Sequence, residues 1–222
     1  MIKRQHTFTL TELLVVIAII SILATILFPV IGGIRDRADK TKCSGSLREL
    51  YVAVDMYWAE NQQRYPSWLS NLYPNGVEDL ALFVCPKDAA STEGAMRSIN
   101  RPAGSVDFDQ VKASFDRPGT ATVEGYSKPN DEVPKVSYLY EFCGGLWPAG
   151  WTDRSLSGSV IQPIDGSWQE MKVRVLKSSP SYMTKMPLIR CFWHADEDLE
   201  PILNVSSTGN VFESKTDWQD SL

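Results

Sequence analysis

The sequence predicts an α+β chain in which one long N-terminal helix is followed by a head built on a small antiparallel β-sheet. Three observations lead there. From Leu13 to Ile34 no residue is charged. Between Leu47 and Trp58 apolar residues return at helical spacing. Beyond residue 65, short β-prone segments alternate with stretches rich in Pro, Gly and Ser.

The uncharged run makes roughly 33 Å of helix at about 1.5 Å per residue, enough for a hydrocarbon core of about 30 Å. Ser21 and Thr25 are its small polar interruptions, and both hydroxyls are expected to bond back to the helix backbone. Lys3 and Arg4 ahead of an apolar stretch also fit a cleavable secretory signal. The run is longer than a signal core of about 7–15 residues, however, and no small-x-small site follows it, so a retained membrane helix is expected. Glu12 stands at the mouth of the run, within one turn of the expected helix start, where the helix dipole favours negative charge. A carboxylate at a membrane edge costs free energy and so points to a contact made there.

The string Phe8-Thr9-Leu10-Thr11-Glu12-Leu13-Leu14-Val15-Val16-Ile17-Ala18-Ile19-Ile20 resembles the N-terminal signature of type IV prepilins and type II secretion pseudopilins. The resemblance covers the N-terminal segment and the helix it opens. It implies a leader peptide of residues 1–7, cleavage by a prepilin peptidase between Thr7 and Phe8, and N-methylation of the new Phe8 amine. The family usually carries Gly before the cut, and Thr7 stands there in this chain. Counted from Phe8, Glu12 takes the place of the family's signature Glu and Pro29 that of its helix-kinking proline. The resemblance implies that Glu12 meets the Phe8 amine of a neighbouring subunit during assembly, a charge pair strengthened by the low dielectric of a helix bundle.

The implied fold is pilin-like. Residues 8–34 would form the transmembrane and filament-core helix, 35–64 its amphipathic continuation, and 65–222 a globular extracytoplasmic head. The implied function is that of a structural subunit, not an enzyme. It would be held in a bacterial inner membrane by a single span, then assembled into a type II secretion pseudopilus or type IV pilus-like filament in the periplasm or at the cell surface. Its implied partners are further copies of itself, the prepilin peptidase, and the inner-membrane assembly platform with its ATPase. A plain Lys/Arg count points the other way, because Arg35, Arg37, Lys40 and Lys42 follow the span and would hold the C-terminal side in the cytoplasm. The cleavage motif, which needs a cytoplasmic N-terminus, takes precedence here. A membrane-anchored extracytoplasmic binding module that does not polymerise is the alternative function.

After the span, Leu47, Leu50, Tyr51, Val54, Tyr57 and Trp58 form one stripe, with Arg48, Glu49, Asp55, Glu60 and Gln62 off it. The helix is expected to end near Gln62, before Tyr65-Pro66-Ser67. In the head, residues 136–142 alternate and 188–193 are β-prone, while 202–205 and 210–212 flank the turn Ser207-Thr208-Gly209 as a hairpin. Residues 86–135 and 144–168 read as long loops.

Four cysteines, Cys43, Cys85, Cys143 and Cys191, are present. Cys43 lies one turn before Leu47 on the apolar stripe and is expected to be a buried free thiol. Among Cys85, Cys143 and Cys191 one disulfide is plausible in an extracytoplasmic head, with its partners left open by the sequence. Cys191-Phe192-Trp193-His194 has C-x-x-H spacing, and Cys85 and Cys143 would complete three thiolates and an imidazole. A strand would point Cys191 and His194 to opposite faces, so no metal is expected there. Asp196, Asp198 and Glu200 offer hard oxygen ligands for calcium, but the run lacks a spaced loop with its turn glycine and reads as a solvated acidic loop. No cofactor is expected.

Neither a G-x-S-x-G elbow, an H-E-x-x-H pair nor a phosphate loop occurs, and His194 reads as a structural strand-end residue. Trp147 and Trp151 form an aromatic pair in a loop, expected to cap the core. The net charge of −5, with an acid-rich C-terminal stretch, disfavours nucleic acid as a partner.

Overall fold

The computed structural model describes residues 10–88, 116, 119–146, 166–178, 183–195 and 201–215, with the side chains of 26–32 excepted. Helix α1 runs from Leu10 to Glu60. The chain divides within it into two compact units, Met1–Thr41 and Lys42–Leu222.

In the second unit α1 supplies one wall of the core. Cys43, Leu47, Leu50, Ala53 and Val54 are buried, and Tyr51 and Tyr57 pack against them. Arg48, Glu49, Asp55 and Glu60 are exposed. The i, i+3, i+4 spacing of the sequence is therefore the packing face, and each fully buried Leu contributes about 1.5–3 kcal/mol by leaving water. The helix stops two residues before the Gln62 expected from the sequence. Asn61 donates its N–H to Tyr57 O (2.9 Å) and Gln63 to Trp58 O (2.9 Å). Gln62 and Gln63 then both adopt left-handed backbone, with φ of 57° and 62°. Two successive left-handed residues turn the chain out of the helix before Pro66 is reached.

Two short 3-10 turns follow, Leu69–Leu72 and Leu80–Phe83, the second opened by Asp79, whose side chain accepts from the Ala81 N–H. They place Trp68, Leu69, Leu72 and Phe83 in the core.

The sheet has four antiparallel strands in sequential order: β1 (Leu139–Tyr140), β2 (Pro187–Cys191), β3 (Ile202–Ser206) and β4 (Val211–Ser214). The β3–β4 hairpin falls where the sequence placed it, Val205 opposite Val211. The alternating segment 136–142 gives a strand of only two residues. Ser137 N–H donates to Phe83 O (2.8 Å), away from the sheet, while Glu141 N–H reaches Leu188 O (3.0 Å) as the pairing ends. Every residue of β2 and β3 is buried, so both faces of the sheet are covered.

Register sorts the side chains. Tyr140 pairs with Ile189, and Cys191 with Leu203, on one face. Leu139 pairs with Arg190, and Arg190 with Asn204, on the other. A polar cluster is buried on that second face. Glu141 receives Arg190 Nη1 at 3.3 Å and Lys172 Nζ at 3.1 Å, and Arg190 Nε donates to Asn204 Oδ1 at 3.0 Å.

Lys172 belongs to a helix the sequence reading did not foresee, α2 (Trp168–Ser178). Ser167 caps it, its hydroxyl accepting the Glu170 N–H at 3.1 Å. Trp168, Met171, Val175 and Leu176 are its buried stripe.

Candidate functional site

Among the described residues, two places stand out for their chemistry. The first is the N-terminal unit. Glu12 lies in the first turn of α1. Every large apolar residue from Leu10 to Leu23 is exposed, Leu10 at 79% and even the least exposed, Val16, at 46%. Consecutive positions sit about 100° apart around a helix, so this surface is apolar on all sides. The polar interruptions are closed internally: Ser21 Oγ donates to Ile17 O at 2.7 Å and Thr25 Oγ1 to Ser21 O at 2.8 Å. Among the described residues no helix is both long and apolar enough to cross a membrane. The uncharged stretch with described side chains ends at Thr25 and amounts to roughly 20 Å of helix, short of a core of about 30 Å.

The second place is in the head. The Sγ atoms of Cys43, Cys85 and Cys191 and a ring nitrogen of His194 all lie within 4.8 Å of one another. Cys85 Sγ is 3.2 Å from His194 Nε2, and Cys43 Sγ is 4.0 Å from Tyr138 Oη. Four separate features bring them together. The apolar stripe of α1 turns Cys43 toward the sheet. Cys85 follows the second 3-10 turn and opens a tight turn in which Asp88 N–H donates to Cys85 O (2.9 Å). That turn is anchored through the buried Asp88, which Lys135 meets at 2.8 Å and whose carboxylate also accepts from Ser137 Oγ. Cys191 is the last residue of β2, after which Ala195 N–H closes back on Phe192 O (3.2 Å). This turn brings His194 to the same side as Cys191, against the expectation that a continuing strand would separate them.

The three thiols share hydrogen bonds. Hydrogen bonds from Cys191 and then Cys43, with His194 adding to them, hold Cys85 far below the ordinary thiol range against the effect of burial. Burial pushes Cys191 well up, helped by its hydrogen bonds with Cys43 and Cys85. Cys191 pulls Cys43 down, but Cys85 and burial outweigh it and Cys43 also titrates high. All four cysteines are free and buried, and Cys143 lies outside the group.

The model for the prokaryotic N-terminal methylation motif matches residues 2–28. The chain carries a prepilin-type N-terminus. The chain is 42% identical over 64 residues to the type II secretion system core protein G of Pectobacterium carotovorum subsp. carotovorum, covering 29% of this chain and 40% of that protein. The core protein G of Klebsiella pneumoniae is 42% identical over 65 residues (29% and 46% of the two chains), and that of Escherichia coli K12 is 41% identical over 64 (29% and 43%). The chain thus spans less than half the length of these curated relatives, and no solved structure matches it.

Of the residues read from the prepilin-type segment, Glu12 is placed in the first helical turn, while Thr7 and Phe8 lie outside the described residues. The helix backbone passes through Pro29, whose side chain is outside them as well. Asp196, Asp198, Glu200, Trp147 and Trp151 are also outside. Cys85 and Cys191 meet as a pair, and Cys43, a buried free thiol as expected, stands in the place that the sequence reading gave Cys143. The available signal was its position four residues before Leu47, which aims its sulfur at the sheet.

Proposed function

We propose that the chain is a pseudopilin-like structural subunit: stored in a bacterial inner membrane, cut between Thr7 and Phe8, N-methylated at Phe8, and assembled through its N-terminal helix into a secretion pseudopilus or pilus-like filament. The observation that carries this reading is that α1 from Leu10 to Leu23 is apolar on every side and is opened by one carboxylate, while the second unit has a core of its own. A surface of that kind is stable only when covered, by lipid or by other helices, and the two environments correspond to storage and filament. In lipid the uncharged run from Leu13 to Ile34 spans the bilayer, with the head outside the cytoplasm. In the filament Glu12 pairs with the Phe8 amine of a neighbour and selects the register of assembly. The names of the curated relatives support a secretion-system setting, from which the peptidase, the assembly platform and its ATPase follow as partners.

Substitution Glu12→Ala tests this. Leaving one partner of a pair unmatched among packed helices costs about 3–5 kcal/mol, so assembly should fall on the order of a hundredfold or more. The head should keep its native circular dichroism, and intact mass should still show N-methyl-Phe8 as the first residue. Filaments in undiminished number, seen by electron microscopy, would remove Glu12 from assembly. A wild-type chain still beginning at Met1 in its native membrane would leave an anchored domain that does not polymerise.

A further inference from the structure

We propose that Cys43, Cys85, Cys191 and His194 form a closed, tetrahedral, structural zinc site that ties the second half of α1 to the sheet. Three thiol sulfurs and one imidazole nitrogen within 4.8 Å of one another are the donor set and number of such a site. A tetrahedron with Zn–S of about 2.3 Å and Zn–N of about 2.0 Å has edges of roughly 3.5–3.8 Å, so side-chain adjustments of less than about 1 Å complete it. Cys85 and His194, at 3.2 Å, lie within about 0.5 Å of that spacing.

A disulfide accounts for the arrangement less well. It would use two sulfurs and leave the third buried against the imidazole. Convergence of all four donors, from a helix, a loop, a strand end and the turn after it, is explained by one ion that each of them touches. Calcium and magnesium are excluded by the chemistry of the set, since both require oxygen ligands, whereas thiolate with imidazole suits zinc. The three cysteines are buried and His194 is half-buried, so no open coordination position faces solvent and the role is structural. Tyr138 Oη, 4.0 Å from Cys43 Sγ, is placed to donate to a metal-bound sulfur, the outer contact that orients such ligands. The ion-paired Asp88 turn holds Cys85 in position in the same way. On binding, each cysteine still protonated releases its proton to solvent, and each sulfur's lone pair forms the bond to the metal. Uptake therefore weakens as pH falls.

The test uses the full chain, extracted in detergent from its native membrane with thiols blocked on one portion and kept reduced on another. The reduced portion should take up about one Zn2+ per chain from an equimolar solution, measured by elemental mass spectrometry. Co2+ in place of Zn2+ should give the intense visible bands of a tetrahedral site together with thiolate-to-metal charge transfer. Substitutions Cys43→Ser and His194→Ala should each lower zinc content at least tenfold, and Cys143→Ala should leave it unchanged. If a variant fails to fold, the Co2+ spectrum of the wild-type chain decides. Failure of the reduced wild type to take up either metal, zinc retained in Cys43→Ser, or a thiol-blocked native chain whose mass shows Cys85 and Cys191 joined would each overturn the proposal.

Discussion

Asp116 shows how one side chain sets a pH dependence. Its carboxylate accepts from the Ser70 N–H and hydroxyl, both at 2.6 Å, and is sealed from solvent. Burial pushes its pKa up from 3.8 to about 6, further than the Ser70 hydrogen bonds pull it down. The folded state therefore holds a proton that the unfolded chain releases near pH 4, so stability is greatest below that value and is lost as pH rises through 6. At 1.36 kcal/mol per unit the loss amounts to about 3 kcal/mol between pH 4 and 7. Urea unfolding of Asp116→Asn against wild type should show the difference between the two proteins changing over that interval and level above it. Equal pH slopes would assign the burial no cost. Nothing in the sequence marks Asp116, because its partner is 46 residues away and burial is a property of the assembled core.

Among the elements, the β3–β4 turn packs closely against α1. Gly209 has φ of 78°, and a Cβ there would lie 2.6 Å from Tyr51 Cε1. Gly209→Ala should destabilise the head by about 1–3 kcal/mol, from left-handed strain and overpacking together. Adding Tyr51→Ala should return the steric part, which a double-mutant cycle read by thermal unfolding would measure. This hairpin was legible because its turn residues separate two β-prone runs and need no distant partner. The head-facing stripe of α1 was legible for the same reason: its spacing is local. Helix α2 was missed although Ser167-Trp168-Gln169-Glu170 is a capping-box string. Val173 and Val175 are β-branched and Lys172 is charged yet buried, so the apolar pattern of the element is broken at the place where Glu141 compensates for it. The cysteine–histidine group was half legible. Cys191 and His194 were paired by spacing, but the turn after β2 and the approach of Cys43 depend on tertiary contacts that no local pattern carries.

At the scale of the whole head, Glu141 joins three elements. It lies just beyond β1, with Lys172 of α2 and Arg190 of β2 as its partners, all buried. Glu141→Ala would remove the carboxylate that two buried cations share, at a cost of about 3–5 kcal/mol, a large part of the roughly 5–15 kcal/mol that holds a domain together. The urea midpoint should fall accordingly with its slope unchanged, whereas Glu141→Gln, which keeps the side-chain volume and its hydrogen-bonding oxygen, should lose less; equal losses would show that the carboxylate charge alone matters at that position. The N-terminal unit contributes nothing comparable from its exposed apolar surface, whose stability depends on what surrounds it.

The shape of the sheet has a consequence for crowding. Its two outer strands are β1, two residues long, and β4, four. Unpaired strand edges are the templates on which identical chains add to one another and precipitate, and short ones present few backbone groups to copy. Among the described residues neither edge is long enough to recruit a neighbour's strand. Identical heads packed side by side at high local concentration would therefore touch through side chains and separate again, instead of fusing into a continuous cross-molecule sheet.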